Sequence, residues 1–144
     1  MMASLVLCAI LRAQIAHEAK SAFPRECCGL IEGYRDGSRI VATRLHAARN
    51  VAAEPDRFEI DPAAHFALLK KLRGTQREII GCYHSHPNGR AEPSARDGGG
   101  DDNFVWLIAA TSPHGVTAFT AHLRKDNRWQ VLALARSGAR NAAA

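Results

Sequence analysis

Apolar residues recur along this chain with two periods, one typical of helices and one of strands. Helical spacing runs from Ile10 to Ala22 and ends before Pro24. A second helix is predicted to begin with Asp61 as N-cap and Pro62 in the first helical position. Strands are predicted at 5–7, 28–34, 39–46, 78–83, 104–111, 116–123 and 129–134, the second and third forming a hairpin around the Asp-Gly turn at 36–37.

The order of these elements predicts the fold class. Helices interrupt a run of mostly adjacent strands, which is typical of an α+β fold with a central, mostly antiparallel mixed β-sheet flanked by helices. Phe66, Leu69 and Leu72 give the second helix an apolar face. Residues 84–100 are rich in Pro, Gly, Ser and Asn and are predicted as a loop, with one helical turn begun at Ser94. We expect a single domain over residues 1–136 and a disordered C-terminal tail over 137–144, which has no apolar pattern to bury.

Composition limits the classes of protein to which the chain can belong. Its 144 residues, 47% hydrophobic and 23% charged, are in the range of one globular domain. The apolar runs are far shorter than the about 20 residues that span a bilayer, and the N-terminus lacks the pattern of a signal peptide. We therefore expect a cytoplasmic protein. The net charge of +5 is scattered and aromatic residues make up 6%, so nucleic-acid binding is permitted but not favoured.

The four cysteines fit a reducing compartment, because none of them has the CxxC spacing of a metal or redox site. We expect free, mostly buried thiols. Cys27, Cys28 and Cys82 are predicted as core residues and not as metal ligands.

Two histidines that are two residues apart carry the candidate chemistry. The tetrapeptide His-Ser-His-Pro at 84–87 is followed by Pro-Ser-Ala-Arg-Asp at 93–97. At the end of a strand, His84 and His86 point the same way, so both rings can bind one cation, for which zinc is the preferred ion. Asp97 can fold back to supply a third ligand. Three protein ligands leave one position open for a water whose pKa falls toward about 7, which is the arrangement of a catalytic zinc.

A zinc hydrolase also needs a base, and Glu26 in the segment Pro-Arg-Glu-Cys-Cys-Gly at 24–29 is the candidate. Glu26, the His-Ser-His-Pro tetrapeptide and the Ser-x-x-Asp motif at 94–97 together resemble the JAMM (MPN+) metalloprotease family, whose pattern is Glu, His-Ser/Thr-His-Pro and, after a fixed spacer, Ser-x-x-Asp. The spacing matches in full. The resemblance runs from the first helix to about Leu134 and is close to the compact bacterial forms.

The resemblance implies a role for each matching residue. His84, His86 and Asp97 would hold one Zn²⁺ with a catalytic water as fourth ligand. Glu26 would take a proton from that water and deliver it to the leaving amine, and Ser94 would hydrogen-bond the oxyanion. The implied fold is a single MPN/JAMM-type domain with cytidine-deaminase-like layering. The implied substrate is an amide bond after the C-terminal Gly-Gly tail of a ubiquitin-like protein, in bacteria a sulfur-carrier protein, with release of cysteine or a short peptide.

Alternatives stay open for several of these assignments. Asp97 can be a turn cap beside the glycines at 98–100, which favour a mobile loop and let Asp101 or Asp102 compete for the metal. Ser94 can be only an N-cap, and Glu26 only a surface charge. A catalytically silent interaction scaffold on the same fold is the alternative function. The other histidines have no partner spacing and are treated as ordinary: His17, His46, His65, His114 and His122.

Overall fold

Seven strands and two helices make up the described part of the chain. The computed structural model describes residues 3–54, 56–94, 97 and 102–137. The elements in chain order are β1 (Ser4–Val6), α1 (Ala9–Ala22), β2 (Cys28–Asp36), β3 (Arg39–Ala48), α2 (Pro62–Leu72), β4 (Glu78–His86), β5 (Phe104–Ser112), β6 (Gly115–Lys125) and β7 (Arg128–Ala135). The predicted elements are all confirmed, with ends shifted by a few residues. The predicted tail at 137–144 lies, apart from Ser137, outside the described residues.

The strands form one mixed sheet that closes on itself in the order β1-β3-β2-β4-β5-β6-β7. Four pairings are antiparallel, and the three that are parallel are β1–β3, β1–β7 and β4–β5. The predicted mixed, mostly antiparallel sheet is therefore confirmed. Its closure was not predicted, because the three-residue strand β1 joins β3 to β7 through pairings between residues distant in the sequence.

Helices α1 and α2 cover opposite faces of this sheet. Leu11 and Ile15 of α1 belong to the larger core cluster, together with Leu107 of β5. On the other face, Leu68 of α2 packs with Trp106 and with residues of β2 and β4. No helix in the described part of the chain is long and apolar enough to cross a membrane. The four cysteines are free, and three of them are buried, as predicted.

The predicted apolar face of α2 is wrong. Phe66 and Leu69 are 63% and 50% exposed, whereas Leu68 is 6% exposed and faces the sheet. Leu72, one turn after Leu68, is partly buried against the same cluster. Apolar residues lie on several sides of this helix, so spacing alone did not identify the buried side. Ile10 of α1 is 71% exposed, although it shares the helical spacing of its buried neighbours.

Strand β4 is longer than the pattern predicted. It continues through His86, so residues 84–86 belong to the strand and not to the loop predicted over 84–100. The reason is pairing on both sides: His84 is opposite Cys28 of β2, and His86 is opposite Ala110 of β5. Polar side chains that made this segment resemble a loop are instead carried on backbone that is held by two neighbouring strands.

The parallel contact between β4 and β5 depends on Gly81. A Cβ at this position would overlap the backbone carbonyl of Val105, which is part of the rigid sheet and cannot rotate away. Any larger residue must therefore push the two strands apart.

We predict that Gly81→Ala lowers the free energy of unfolding by about 1–3 kcal/mol, the usual effect of overpacking a core. Urea denaturation followed by tryptophan fluorescence measures this change. An unchanged denaturation midpoint would show that β4 and β5 are not held as closely as the structure has them.

Candidate metal centre

The C-terminal end of β4 places two imidazoles on the same side of the sheet. His84 and His86 alternate with Ser85 along an extended strand, so their side chains leave the same face. Both histidines are buried, with exposed fractions of 0% and 5%. Their Nε2 atoms lie 2.9 Å apart. Strand geometry alone thus brings two nitrogen ligands to one point.

Asp97 and Glu26 add two carboxylates to this point. Asp97 Oδ2 lies 3.4 Å from His84 Nε2 and 3.5 Å from His86 Nε2. Donor atoms bound to one tetrahedral zinc at 2.0–2.1 Å are separated by about 3.3 Å, so these three atoms fit one ion. Glu26 is 7% exposed, and its carboxylate lies within 4.8 Å of the ligand atoms of both histidines. The donor set of two nitrogens and carboxylate oxygens suits zinc.

A short turn orients the carboxylate of Asp97. Its backbone N–H donates to the carbonyl of Ser94 at 3.1 Å, and the Ser94 N–H donates to Asp97 Oδ2 at 2.8 Å. The Ser-x-x-Asp spacing thus produces a reciprocal pair of hydrogen bonds, as at a helix N-terminus. The predicted helical turn cannot be traced further, since residues 95 and 96 lie outside the described residues.

The pKa shifts of His84 and Asp97 favour the forms in which these groups bind a metal, whereas that of His86 does not. Burial lowers the pKa of His84, which keeps its ring neutral. Burial acts to raise the pKa of Asp97, but the hydrogen bonds of His84 and His86 outweigh it and hold the pKa of that carboxyl well below its usual value. For His86 burial acts to lower the pKa, and the contact with Asp97 reverses the direction and raises it. A neutral imidazole and an ionised carboxylate are the ligand forms that a metal requires.

The two histidine rings are held in place by different contacts. His86 Nδ1 donates to the carbonyl of Arg90 at 3.1 Å, which leaves Nε2 directed at the site. His84 Nδ1 has no hydrogen-bond partner among the described residues. The His84 ring is instead stacked on Phe58, with centroids 4.2 Å apart and planes at 19°, and its edge meets Trp106. One ring is oriented by a hydrogen bond and the other by aromatic packing.

Ser85 links the two halves of the site. The Cys27 N–H donates to Ser85 Oγ at 2.8 Å, and the Ser85 N–H donates to the Cys27 carbonyl at 3.1 Å. These bonds hold the residue after Glu26 against the residue between the two histidines. Glu26 is therefore placed by the pairing of β2 with β4, although 58 residues separate Cys27 from Ser85.

The cluster opens into a cleft of about 1040 Å³. Glu26 and His86 form part of its floor, and Ser94 is exposed on its wall. Charged residues of both signs line it further out: Asp56, Arg90 and Glu92. A peptide segment can therefore approach His86 and Glu26 from solvent.

The structure brings together the residues that the sequence identified: Glu26, His84, His86, Ser94 and Asp97. Their roles as ligands, base and oxyanion donor stay predictions. Of the two acidic residues expected to compete for the metal, Asp102 is exposed and Asp101 lies outside the described residues.

Sequence reasoning missed several residues that support the site. Ser85 was noted only as part of the His-Ser-His-Pro motif. Phe58 had no periodic pattern, and neither did Asn50, whose Nδ2 donates to the Glu26 carbonyl at 2.9 Å. His122, treated as ordinary, is 7% exposed and meets the ring of Trp129 edge-on at 6.1 Å. Its Nε2 has no partner within the described part of the chain. No feature of a single sequence marks these contacts, since each joins segments that only folding brings together.

Comparison with known proteins gives one family and several relatives. The family model Prok-JAB, described as prokaryotic homologs of the JAB domain, matches residues 9–128. The chain is 34% identical over 115 residues to a desampylase of Haloferax volcanii, with 78% of each protein covered. It is 38% identical over 90 residues to a probable TtuB-protein conjugate cleaving protease of Thermus thermophilus, a match that covers 60% of the chain and 53% of that relative.

Solved structures agree with the family match. The solution structure of protein DSY2949 from Desulfitobacterium hafniense superposes with a TM-score of 0.79 and 27% identity, covering 90% of both chains. The matched residues 9–128 include every residue of the cluster described above. The resemblance to JAMM proteins that the sequence indicated is confirmed.

We predict that Ser85→Ala destabilises the protein by about 1–3 kcal/mol, because it leaves the buried Cys27 N–H without an acceptor. Ser85→Thr is the matched control, since it keeps the hydroxyl and is the other residue of the JAMM pattern. Urea denaturation of both variants measures the difference. Equal stability of the Ala and Thr variants would contradict the bridge between β2 and β4.

Proposed function

The chain belongs to the family of prokaryotic homologs of the JAB domain, and from that premise we propose that it is a zinc-dependent peptidase that cleaves amide bonds behind the tail of ubiquitin-like proteins. Its named relatives are a desampylase and a conjugate-cleaving protease, and the chain is a hydrolase acting on peptide or isopeptide bonds. The observation that carries the proposal is the convergence of two histidines and two carboxylates beside one cleft, which Glu26 and His86 of this cluster line.

His84, His86 and Asp97 would hold the zinc ion. Their three facing atoms are 2.9 to 3.5 Å apart, and each side chain is nearly or fully buried. When bound, zinc supplies a Lewis acid that polarises the scissile carbonyl and lowers the pKa of water toward about 7. The buried, ionised Asp97 offsets part of the charge of the cation, which favours binding.

Glu26 would act as the proton carrier. Its carboxylate is buried beside both histidines and also reaches the cleft. It would accept a proton from the attacking water while the water oxygen bonds to the carbonyl carbon. It would then deliver that proton to the amide nitrogen as the carbon–nitrogen bond breaks, leaving a carboxylate and a free amine. Ser94 on the cleft wall would donate a hydrogen bond to the carbonyl oxygen as negative charge develops there.

The proposed substrate is a conjugate or precursor of a ubiquitin-like protein with a C-terminal Gly-Gly tail. One relative is named as a desampylase, and another as a probable protease that cleaves TtuB-protein conjugates. More specifically, we propose that the substrate is a sulfur-carrier protein with this tail, from which cysteine or a short peptide is released. The open cleft would accept an extended tail with small side chains, and backbone hydrogen bonds would hold it. Cytoplasmic location and a single domain over 1–136 stay predictions.

We predict one zinc ion per chain in protein purified without added metal, and little or none in His86→Ala, because the remaining ligands cannot hold the ion. Inductively coupled plasma mass spectrometry measures the content. The matched control is His114→Ala, which removes an exposed histidine outside the cluster and should retain the zinc. Equal zinc in both variants would place the metal elsewhere, and its absence from all three proteins would remove the basis for a metallopeptidase.

We predict that Glu26→Gln keeps its zinc but loses about 10²–10⁴-fold in kcat, because the amide cannot carry the proton. The assay follows hydrolysis of a sulfur carrier fused through its Gly-Gly terminus to a reporter peptide, with both proteins loaded with zinc. Cleavage by the variant at the normal rate would exclude Glu26 as the proton carrier. A zinc-loaded native protein that binds the carrier without cleaving it would instead indicate an interaction scaffold.

A further inference from the structure

Asn50 uses the full hydrogen-bonding capacity of its side chain next to the candidate active site. It is half-buried and lies between β3 and α2. Its Nδ2 donates to the carbonyls of Glu26 at 2.9 Å and Arg57 at 3.0 Å. Its Oδ1 accepts from the N–H groups of Ala52 and Glu59, both at 3.0 Å. An amide side chain has two donors and two acceptor positions, so Asn50 is saturated.

The two bonds to Oδ1 and the bond to the Arg57 carbonyl shape one loop. Asn50 is also bridged to Ile60 through the backbone, and Val51 N–H donates to the Glu59 carbonyl at 2.9 Å. The chain therefore leaves Asn50 through Val51 and Ala52 and returns beside it at Arg57 and Glu59. Phe58 is on the returning arm of this loop and is stacked on His84. Asn50 thus helps to place the ring that orients a histidine with no hydrogen bond to Nδ1 among the described residues.

The remaining bond reaches the other half of the site. The Glu26 carbonyl belongs to the residue whose side chain lies against both histidines. Glu26 precedes β2, so the sheet does not hold its peptide by regular pairing. Asn50 holds the carbonyl of Glu26, and Ser85 holds the N–H of Cys27 that follows it. The peptide carrying the candidate base is fixed on two sides.

We propose that Asn50 is a positioning residue for the reaction: it aligns the Glu26 carboxylate with the metal ligands and couples this alignment to the loop that covers His84. The proposal rests on the proposed function. Asn50 touches neither the ligand atoms nor the cleft floor, so it acts through the Glu26 peptide and the 51–59 loop. Removing its donors should therefore reduce turnover more than substrate affinity or zinc content.

The variant Asn50→Asp separates the donor function of the Asn50 side chain from its acceptor function. An aspartate keeps an oxygen that accepts from the Ala52 and Glu59 N–H groups, but it cannot donate to the carbonyls of Glu26 and Arg57. Asn50→Ala removes all four bonds without adding charge. Asn127→Asp is the control for the added charge, since Asn127 lies in the β6–β7 turn outside the site and aspartate tolerates its positive φ of 63°.

With each protein loaded with zinc, we expect kcat to fall about 10–100-fold in both Asn50 variants, the usual effect of losing an outer-shell contact. KM should stay within about three-fold, zinc content should be unchanged in Asn50→Asp, which keeps the bonds to Ala52 and Glu59, and Asn127→Asp should behave as the native protein. A kcat within about two-fold of native in Asn50→Asp would overturn the proposal. Loss of zinc together with activity would also overturn it, because Asn50 would then support the ligands and not the base.

Amide hydrogen exchange tests the geometry without any substrate. In Asn50→Asp the Cys27 amide should exchange about ten-fold faster or more, while the Ala52 and Glu59 amides stay protected. In Asn50→Ala all three should exchange faster. An unchanged Cys27 amide in both variants would disprove the link to Glu26. If the native protein cleaves no conjugate, the proposed function fails, and this exchange result still decides whether Asn50 holds the Glu26 peptide.

Discussion

The pairing of β2 with β4 is the constraint on which the candidate site depends. The register places Cys28 opposite His84, and Ser85 closes the end of the ladder with two hydrogen bonds to Cys27. Glu26 lies one residue beyond this closure. A shift of one residue would turn both histidines to the opposite face of the sheet, and Glu26 would be carried away from them. The site therefore needs no separate framework, because it is the end of a sheet whose register the core already determines.

The segments outside the sheet complete the site through hydrogen bonds made by their backbone groups. The Ser94–Asp97 turn directs one carboxylate oxygen at both imidazoles. The next support is the segment 86–91: His86 Nδ1 donates to the Arg90 carbonyl, and Thr120 of β6 donates through Oγ1 to the carbonyl of Ala91. Each contact fixes the position of an irregular segment. A catalytic group needs such a fixed position, because small displacements lower the reaction rate.

Charge and burial act together at this point of the molecule. Burying two histidines and an aspartate without polar partners would cost folding free energy. Here both histidines contact the carboxylate of Asp97. The pKa of Asp97 is held low by these contacts and that of His84 is lowered by burial. The same arrangement that makes the cluster tolerable in a folded protein prepares it for a cation, since Asp97 and His84 are held in the forms in which they bind a metal.

The sequence alone predicted the elements, the candidate ligands and the family, because strand and helix periods are local and the His-x-His and Ser-x-x-Asp spacings act over single strands and turns. It did not determine which side of α2 is buried, that β4 extends through His86, or that β1 closes the sheet. It also gave no sign of Asn50, Phe58 or Ser85 as supports of the site. Those outcomes depend on contacts between segments far apart in the chain, whose energies are decided by packing and pairing in the folded protein. Only the tertiary structure could decide them.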